Sequence, residues 1–80
     1  MILKPISSEK AVKMIDLDNT LVFEAPRQAT KTEIQKEVEL IFSVKVEKIR
    51  TQISKNRTIA YVKLVKANPA IDVATKLGMI

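Results

Sequence analysis

The chain has 80 residues and a net charge of +5, with 14 basic and 9 acidic side chains. This length predicts a single small domain over residues 1–80, and a composition of 46% hydrophobic and 29% charged residues is typical of folded proteins. There is no cysteine, which excludes disulfides and thiolate metal sites, and no apolar run as long as a membrane span. We therefore expect a soluble, cytoplasmic protein with no membrane partner.

The residues that most catalytic sites need are scarce in this sequence. Histidine is absent, so the usual proton shuttle at neutral pH is missing. The only glycine, Gly78, lies close to the end of the sequence, which excludes a glycine-rich phosphate loop. Acidic residues occur mostly singly among lysines, without the spacing of a metal site. We expect no enzymatic activity, no metal, no cofactor and no small-molecule substrate.

The N-terminal part predicts a strand, a helix and a second strand. Residues 2–3 are expected to form a short edge strand, because the proline close behind them cannot donate to a ladder. Ser8 offers an N-cap for a helix over residues 9–16, and the Asp-Asn pair at 18–19 is typical of a turn. Thr20–Ala25 alternates in the manner of a strand. The apolar side of the helix is predicted to comprise Val12, Met14 and Ile15.

The clearest helix follows a capping box. Thr30 and Glu33 have the spacing at which each side chain satisfies a backbone donor at the other's position. Apolar residues then recur at helical intervals, which predicts an amphipathic helix with one buried stripe. The predicted stripe consists of Ile34, Val38, Ile41 and Phe42.

A hairpin is predicted next. Residues 44–53 read as a strand, but the apolar side chains change parity around residues 47–48, which indicates a β-bulge. Residues 54–57 are short enough for a hairpin turn. Residues 58–65 form the return strand, which is apolar on both faces and should therefore be central in the sheet.

A last helix completes the expected fold. Asn68 is predicted to be its N-cap, with Pro69 at the first helical position and Gly78 as its stop signal. The resulting order is β-(α)-β-α-β-β-α, an α+β fold of the split β-α-β type with a four-stranded antiparallel sheet covered by helices. The last helix is expected to cover the second face of the sheet, which would give three layers.

Positive charge is concentrated in the hairpin. Residues 45–66 carry seven basic side chains and one acid, Glu47, so this window has a charge of +6 and the remaining residues sum to −1. Clustered lysine and arginine on a small domain is typical of phosphate-backbone binding. The alternative is a solvated hairpin whose lysines prevent edge-to-edge aggregation. The candidate RNA-binding residues of the hairpin are Lys48, Arg50, Lys55, Asn56, Arg57 and Lys63.

A second candidate region is the loop over residues 25–31, which precedes a helix N-terminus and so favours anions. Arg27 and Lys31 add positive charge there. Base stacking is expected to be weak, since the few aromatic side chains fall on predicted core positions, and recognition should use the backbone and shape of folded RNA. Phe23 and Phe42 are assigned to the core, whereas Tyr61 is ambiguous, with a core position favoured over an exposed one.

Several short motifs occur together in a characteristic order. They are Pro-Ile-Ser-Ser-Glu-Lys at 5–10, Ala-Thr-Lys-Thr-Glu-Ile at 29–34, Leu-Ile-Phe-Ser-Val-Lys-Val at 40–46, Ile-Arg-Thr at 49–51 and Ala-Tyr-Val-Lys-Leu at 60–64. In this order and spacing the chain resembles the ribosomal protein L23 family of the large subunit over nearly its whole length. The short turn leaves no room for the long hairpin insertion of bacterial members, so the resemblance is to the archaeal type.

The resemblance implies a structural component of the large ribosomal subunit in the cytoplasm. Its expected partners are large-subunit ribosomal RNA near the polypeptide exit site, neighbouring ribosomal proteins, and the signal recognition particle as a docking factor. The positions that match the RNA side of the family are Arg27, Lys31, Arg50 and the hairpin tip. Those that match the protein-docking surface are Ser8, Glu9 and Lys10.

Two other classes of function remain open at this point. Split β-α-β domains host many functions, so a small regulatory or ligand-binding module is one alternative. An enzyme of the acylphosphatase type is another, in which Arg27 would hold phosphate and Asn19 or Asn56 would orient water. No glycine-rich phosphate loop accompanies these residues in the sequence.

Overall fold

The computed structural model of the protein describes residues 3–78. Its elements, in chain order, are β1 (Lys4–Pro5), α1 (Glu9–Asp18), β2 (Thr20–Ala25), α2 (Lys31–Phe42), β3 (Val46–Ser54), β4 (Arg57–Leu64) and α3 (Ala70–Lys76). The strands form one antiparallel sheet in the order β1-β2-β4-β3. Because β4 pairs with both β2 and β3, those two strands are parallel to each other and α2 is the crossover between them. The predicted α+β fold of the split β-α-β type is confirmed.

The first face of the sheet carries the hydrophobic core. Leu21 lies opposite Val62 and Phe23 opposite Ala60, and all four side chains are at most 1% exposed. The alternation of side chains along each strand places these residues on one face, where burial of apolar area is the main stabilising term. The helical side chains in the same buried cluster are Ile15 from α1, Ile34 and Val38 from α2, and Ala70, Val73 and Ala74 from α3.

The capping box at the start of α2 is confirmed. The Thr30 hydroxyl oxygen accepts from the Glu33 backbone N–H at 3.2 Å, and the Glu33 carboxylate accepts from the Thr30 backbone N–H at 3.1 Å. The buried row runs through residues 34, 38 and 42, and the Phe42 ring stacks on Phe23 with centroids 6.0 Å apart. The prediction that Ile41 is buried is wrong: it is 55% exposed, since it lies about 60° around the helix from the middle of that row.

The hairpin of β3 and β4 closes with a two-residue turn. Lys55 and Asn56 both have positive φ, at 49° and 65°, and Ser54 pairs with Arg57 on either side of them. Two left-handed residues match the twist of the flanking strands, which is why such turns favour asparagine. The predicted bulge is confirmed by a register shift between Val46 and Lys48.

The predicted position of β1, the predicted end of α1 and the predicted start of β3 differ from the structure. The edge strand occupies Lys4–Pro5 and not residues 2–3, of which residue 2 lies outside the described part of the chain. Helix α1 continues two residues beyond the predicted end at 16, until Asn19 adopts a left-handed conformation and caps it. Strand β3 begins at Val46 and not at 44, because the left-handed Ser43 ends α2 and the chain must turn first.

Two expectations for α3 are wrong. Asn68 is not its N-cap; the structure places Pro69 there, and the Asn68 side-chain oxygen accepts from the Lys45 backbone N–H at 2.8 Å. Helix α3 also does not cover the second face of the sheet, since its buried side chains join the core of the first face. In residues 3–78 no helix has the length and apolar character that crossing a membrane requires.

Asn19 ties together four elements that are distant in sequence. Its side-chain N–H groups are shared among the carbonyl oxygens of Leu64, Val65 and Asn68, at 3.1, 3.2 and 3.2 Å. Its side-chain oxygen accepts from the backbone N–H of Ala70 at 2.6 Å. One amide therefore joins the end of α1 and the start of β2 to the end of β4 and the start of α3.

We predict that Asn19→Asp destabilises the protein strongly. Aspartate keeps the shape of asparagine but lacks both N–H donors, and it directs negative charge at the same three carbonyl oxygens. Leaving such acceptors without donors should lower the free energy of unfolding by at least about 2 kcal/mol, or roughly 8 °C in Tm for a domain of this size. Urea and thermal unfolding followed by circular dichroism measure the change.

Asn56→Asp is the matched control for this prediction. Asn56 also has positive φ, but it is exposed and its side-chain oxygen only accepts a hydrogen bond, which aspartate can still do. We expect a change within about 0.5 kcal/mol, as for most surface positions. Equal losses of stability in the two variants would show that the Asn19 amide has no special role.

Candidate nucleic-acid interface

The second face of the sheet is only half covered. Helix α1 lies over β2, where Ala11 and Val22 are 3% and 4% exposed and belong to no part of the first-face core. The half formed by β4 and β3 is open in the described part of the chain, and Arg50 and Lys63 are exposed there. A groove lined by Met14 and Tyr61 therefore runs between α1 and the hairpin strands.

Three basic side chains and one aromatic ring form what we call the basic patch: Lys48, Arg50, Tyr61 and Lys63. The register places Lys48 opposite Lys63 and Arg50 opposite Tyr61, so all four share the open half of the second face. The Arg50 guanidinium carbon lies 5.1 Å from the centroid of the Tyr61 ring, within the range of a cation–π contact. This contact holds the Arg50 guanidinium over the Tyr61 ring at the centre of the patch.

Of the two positions left open for Tyr61, the favoured one in the core is wrong. Its side chain is half-buried on the second face, and its hydroxyl donates to the Gln52 side chain at 3.5 Å. The reason is that α1 covers the neighbouring strand and leaves β4 beside an open groove, which an alternating apolar pattern does not reveal. The hairpin turn at 54–57, once fixed, does place Tyr61 opposite Arg50, so the sequence held a signal for this pair.

The basic patch is an unfavourable arrangement for the protein alone. Lys48 and Lys63 are like charges at directly opposed positions, which destabilises a sheet. The bulged Glu47 offsets this only weakly, since its carboxylate lies 3.9 Å from the Lys63 amine and both side chains are about half exposed. A polyanion on this face would neutralise the excess charge.

A second group of polar side chains, which we call the tip cluster, lies at the turn end of the hairpin: Lys4, Arg27, Asn56 and Arg57. They line one depression of about 290 Å³. Arg27 donates to the Asn56 side-chain oxygen at 3.4 Å, and the Arg57 guanidinium pairs with Glu24 at 3.2 Å. The structure thus joins the two predicted RNA-binding regions, the loop and the hairpin, and adds Lys4, which sequence analysis missed.

The remaining two basic candidates occupy different places. Lys55 is exposed in the turn itself, next to the tip cluster. Lys31 is exposed in the first turn of α2 and lines neither the groove nor the tip depression. Arg57 and Lys63, at the two ends of β4, are separated by about 20 Å at the usual rise per residue. The basic patch and the tip cluster therefore form one cationic row along the hairpin.

The predicted protein-docking residues lie at the start of α1. Ser8 is its N-cap and accepts from the Ala11 backbone N–H at 3.2 Å. Glu9 is exposed in the first turn, where an acid is favoured, and its carboxylate lies 3.6 Å from the Lys13 amine. Lys10 is exposed. Ser8 and Lys10 also line the groove beside Tyr61, and the exposed acid Glu9 distinguishes this end of α1 from the cationic row.

The described residues offer little for the enzyme alternative. Between residues 3 and 78 no group of three or more acidic, histidine or cysteine side chains could hold a metal ion. Arg27 and Asn56 do meet, but in an exposed contact at the hairpin tip.

Comparison with known proteins decides the family. The family model described as Ribosomal protein L23 matches residues 1–74. Large ribosomal subunit protein uL23 from Methanothermobacter thermautotrophicus is 41% identical over 80 residues, covering 99% of this chain and 93% of that protein. These matches confirm the family predicted from the motifs, and with it a ribosomal, cytoplasmic location and a role without enzymatic activity. The chain belongs to the ribosomal protein L23 family, whose members are structural components of the large ribosomal subunit.

Proposed function

We propose that the protein binds large-subunit ribosomal RNA through the open half of its second face, near the polypeptide exit site. The observation that carries this proposal is the cationic row along β4 and β3, which brings Arg50, Arg57 and Lys63 onto one face. Most contacts between proteins and nucleic acids go to phosphate and sugar, and clustered lysine and arginine supply them.

The two faces of the sheet support this assignment. The first face is filled over its central strands by α2 and α3, and the side chain that it exposes near the hairpin tip, Ile53, is apolar. The second face keeps its long cationic side chains exposed beside a groove, at the base of which Tyr61 is only half-buried. A flat, positively charged surface with few free aromatic side chains suits the shape and backbone of folded RNA.

The docking of the signal recognition particle at Ser8, Glu9 and Lys10 is a separate part of the proposal. It is supported by the exposure of these side chains at the start of α1. Glu9 directs a carboxylate to solvent, where it can pair with a cationic group of a partner. Neighbouring ribosomal proteins are expected to contact the remaining exposed surface.

We predict that binding to a large-subunit ribosomal RNA transcript falls steeply with salt and resists competition by excess transfer RNA. If four to six basic side chains contact phosphates, the logarithm of the association constant should fall against the logarithm of salt with a slope of roughly −3 to −5. A filter-binding or fluorescence-anisotropy titration across a salt series measures this slope. Binding abolished by transfer RNA would reduce the hairpin to a non-specific basic surface.

Arg50→Ala and Arg57→Ala should each weaken this binding and flatten the salt slope by about one unit. Lys36→Ala is the matched control, because Lys36 is exposed on α2, on the far side of the sheet. We expect this variant to bind like the wild type. Slopes that stay unchanged in both arginine variants would remove the cationic row from the interface.

Glu9→Lys should weaken docking of the signal recognition particle to ribosomes that carry the variant, by about tenfold, since it turns an attractive charge into a repulsive one. Co-sedimentation measures the affinity. RNA binding should persist, because the helix itself loses only about 0.3–1 kcal/mol from a cation in its first turn. Lys13→Ala, which removes the ion-pair partner of Glu9, is the control, and equal docking by Glu9→Lys and wild-type ribosomes would contradict the proposal.

A further inference from the structure

The groove beside the basic patch contains a feature that phosphate binding does not explain. Next to the basic patch, the groove deepens into a depression of about 170 Å³. Asp18, which carries a carboxylate, lines this depression together with Lys48 and Lys63. Among residues 3–78 Asp18 belongs to no ion pair. A carboxylate would repel a phosphate placed in the same depression.

The position of Asp18 is also unfavourable for the helix that carries it. It is the last residue of α1, where the carbonyl end of the helix favours cations and disfavours acids. The Thr20 hydroxyl donates to the Asp18 backbone carbonyl at 3.0 Å, which holds the backbone of this turn in place while leaving the carboxylate for other contacts. Helix stability therefore gives no reason for an acid here.

The opposite wall of the depression offers a planar cation. The Arg50 guanidinium packs against the half-buried ring of Tyr61, and Arg50 itself is exposed, so one face of its plane remains accessible. Stacking on Tyr61 restricts the arginine in advance, which lowers the entropy lost on binding. Guanidinium planes of this kind receive unstacked bases in RNA complexes.

A single nucleobase fits this combination of groups. The carboxylate of Asp18 accepts from an exocyclic amine, whereas the amines of Lys48 and Lys63 donate to ring or carbonyl acceptors. Adenine and cytosine also carry an amine and acceptors, but guanine alone presents two adjacent donors, N1–H and N2–H, to one carboxylate while O6 and N7 remain as acceptors. We propose that the depression receives one unpaired guanine of the RNA, stacked on the Arg50–Tyr61 pair and hydrogen-bonded to Asp18. The proposal rests on the RNA-binding function above, and adds recognition of one base in the groove to the phosphate contacts of the cationic row.

The chain provides a specific reporter for this contact. Tyr61 is its only tyrosine and it contains no tryptophan, so the ring-proton signals of tyrosine in an NMR spectrum come from one residue. We would titrate the protein with three short RNA hairpins that differ only in carrying a bulged guanosine, a bulged uridine or no bulge. A base stacked on the outer face of Arg50 should fix the guanidinium over the ring and so change the chemical shifts of the Tyr61 ring protons with the bulged guanosine alone. Absence of this shift with bulged guanosine, or equal shifts with all three hairpins, would overturn the proposal.

Conservative variants separate base recognition from charge. Arg50→Lys keeps the positive charge but loses the stacking plane, and should reduce the preference for the guanosine-bulged hairpin over the fully paired one by at least about fivefold, the lower end of a stacking contribution. Lys36→Ala, which lies on α2 on the far side of the sheet, should leave that preference at the wild-type ratio. Asp18→Asn should lower the discrimination between bulged guanosine and bulged uridine. Wild-type values of the respective ratios in both Arg50→Lys and Asp18→Asn would overturn the proposal.

These readouts also keep the two proposals apart. The salt slope on the ribosomal RNA transcript tests whether the cationic row binds RNA at all. A steep, competitor-resistant slope combined with unmoved Tyr61 signals would keep RNA binding and remove the base from the groove. Loss of the slope in the wild-type protein would instead contradict the RNA-binding function itself.

Discussion

The hydrogen bonds of the Asn19 side chain are the constraint on which the arrangement of elements depends. They join the loop between α1 and β2 to the end of β4 and to the first residue of α3, positions that lie 45 to 51 residues apart in the chain. The left-handed backbone of Asn19, with φ of 51°, also ends α1 and turns the chain back into the sheet. Because the same residue anchors α1 and β4, it fixes the separation between them. That separation is the groove on the second face.

This anchoring explains how a chain of 80 residues keeps half of one sheet face open. A domain of this size buries only about 60% of its unfolded surface, so it has little apolar material beyond a single core. Here the first face takes nearly all of it, with α2 on β3 and β4 and α3 on β2. Helix α1 contributes Ile15 to this core but covers only Val22 on the other side. Because the core lies on the first face, charged side chains on the open half of the second face do not disturb its packing.

Local signals in the sequence predicted local structure well. The capping box of Thr30 and Glu33, the strand Thr20–Ala25 and the bulge near Lys48 each depend on neighbouring residues, and the structure contains all three. Errors arose where distant parts of the chain meet. The roles of Asn19 and Asn68, the side on which α3 packs and the contact of Arg27 with Asn56 depend on tertiary packing that no periodicity encodes. Tyr61 is the instructive case, since its alternating apolar neighbours predict a core residue and only the placement of α1 makes it the wall of a groove.

The charges of the second face are organised by the hairpin register. A turn of two residues fixes every pairing between β3 and β4, and the bulge at Glu47 shifts the pairing so that Lys48 lies opposite Lys63. An isolated sheet gains nothing from two opposed lysines, and the nearby Glu47 compensates for them only in part. The bulge also returns Arg50 to a position directly across from Tyr61, where the ring can hold the guanidinium in place. The local features that cost stability are therefore the same ones that assemble the cationic row, so the stability of the fold alone does not explain them.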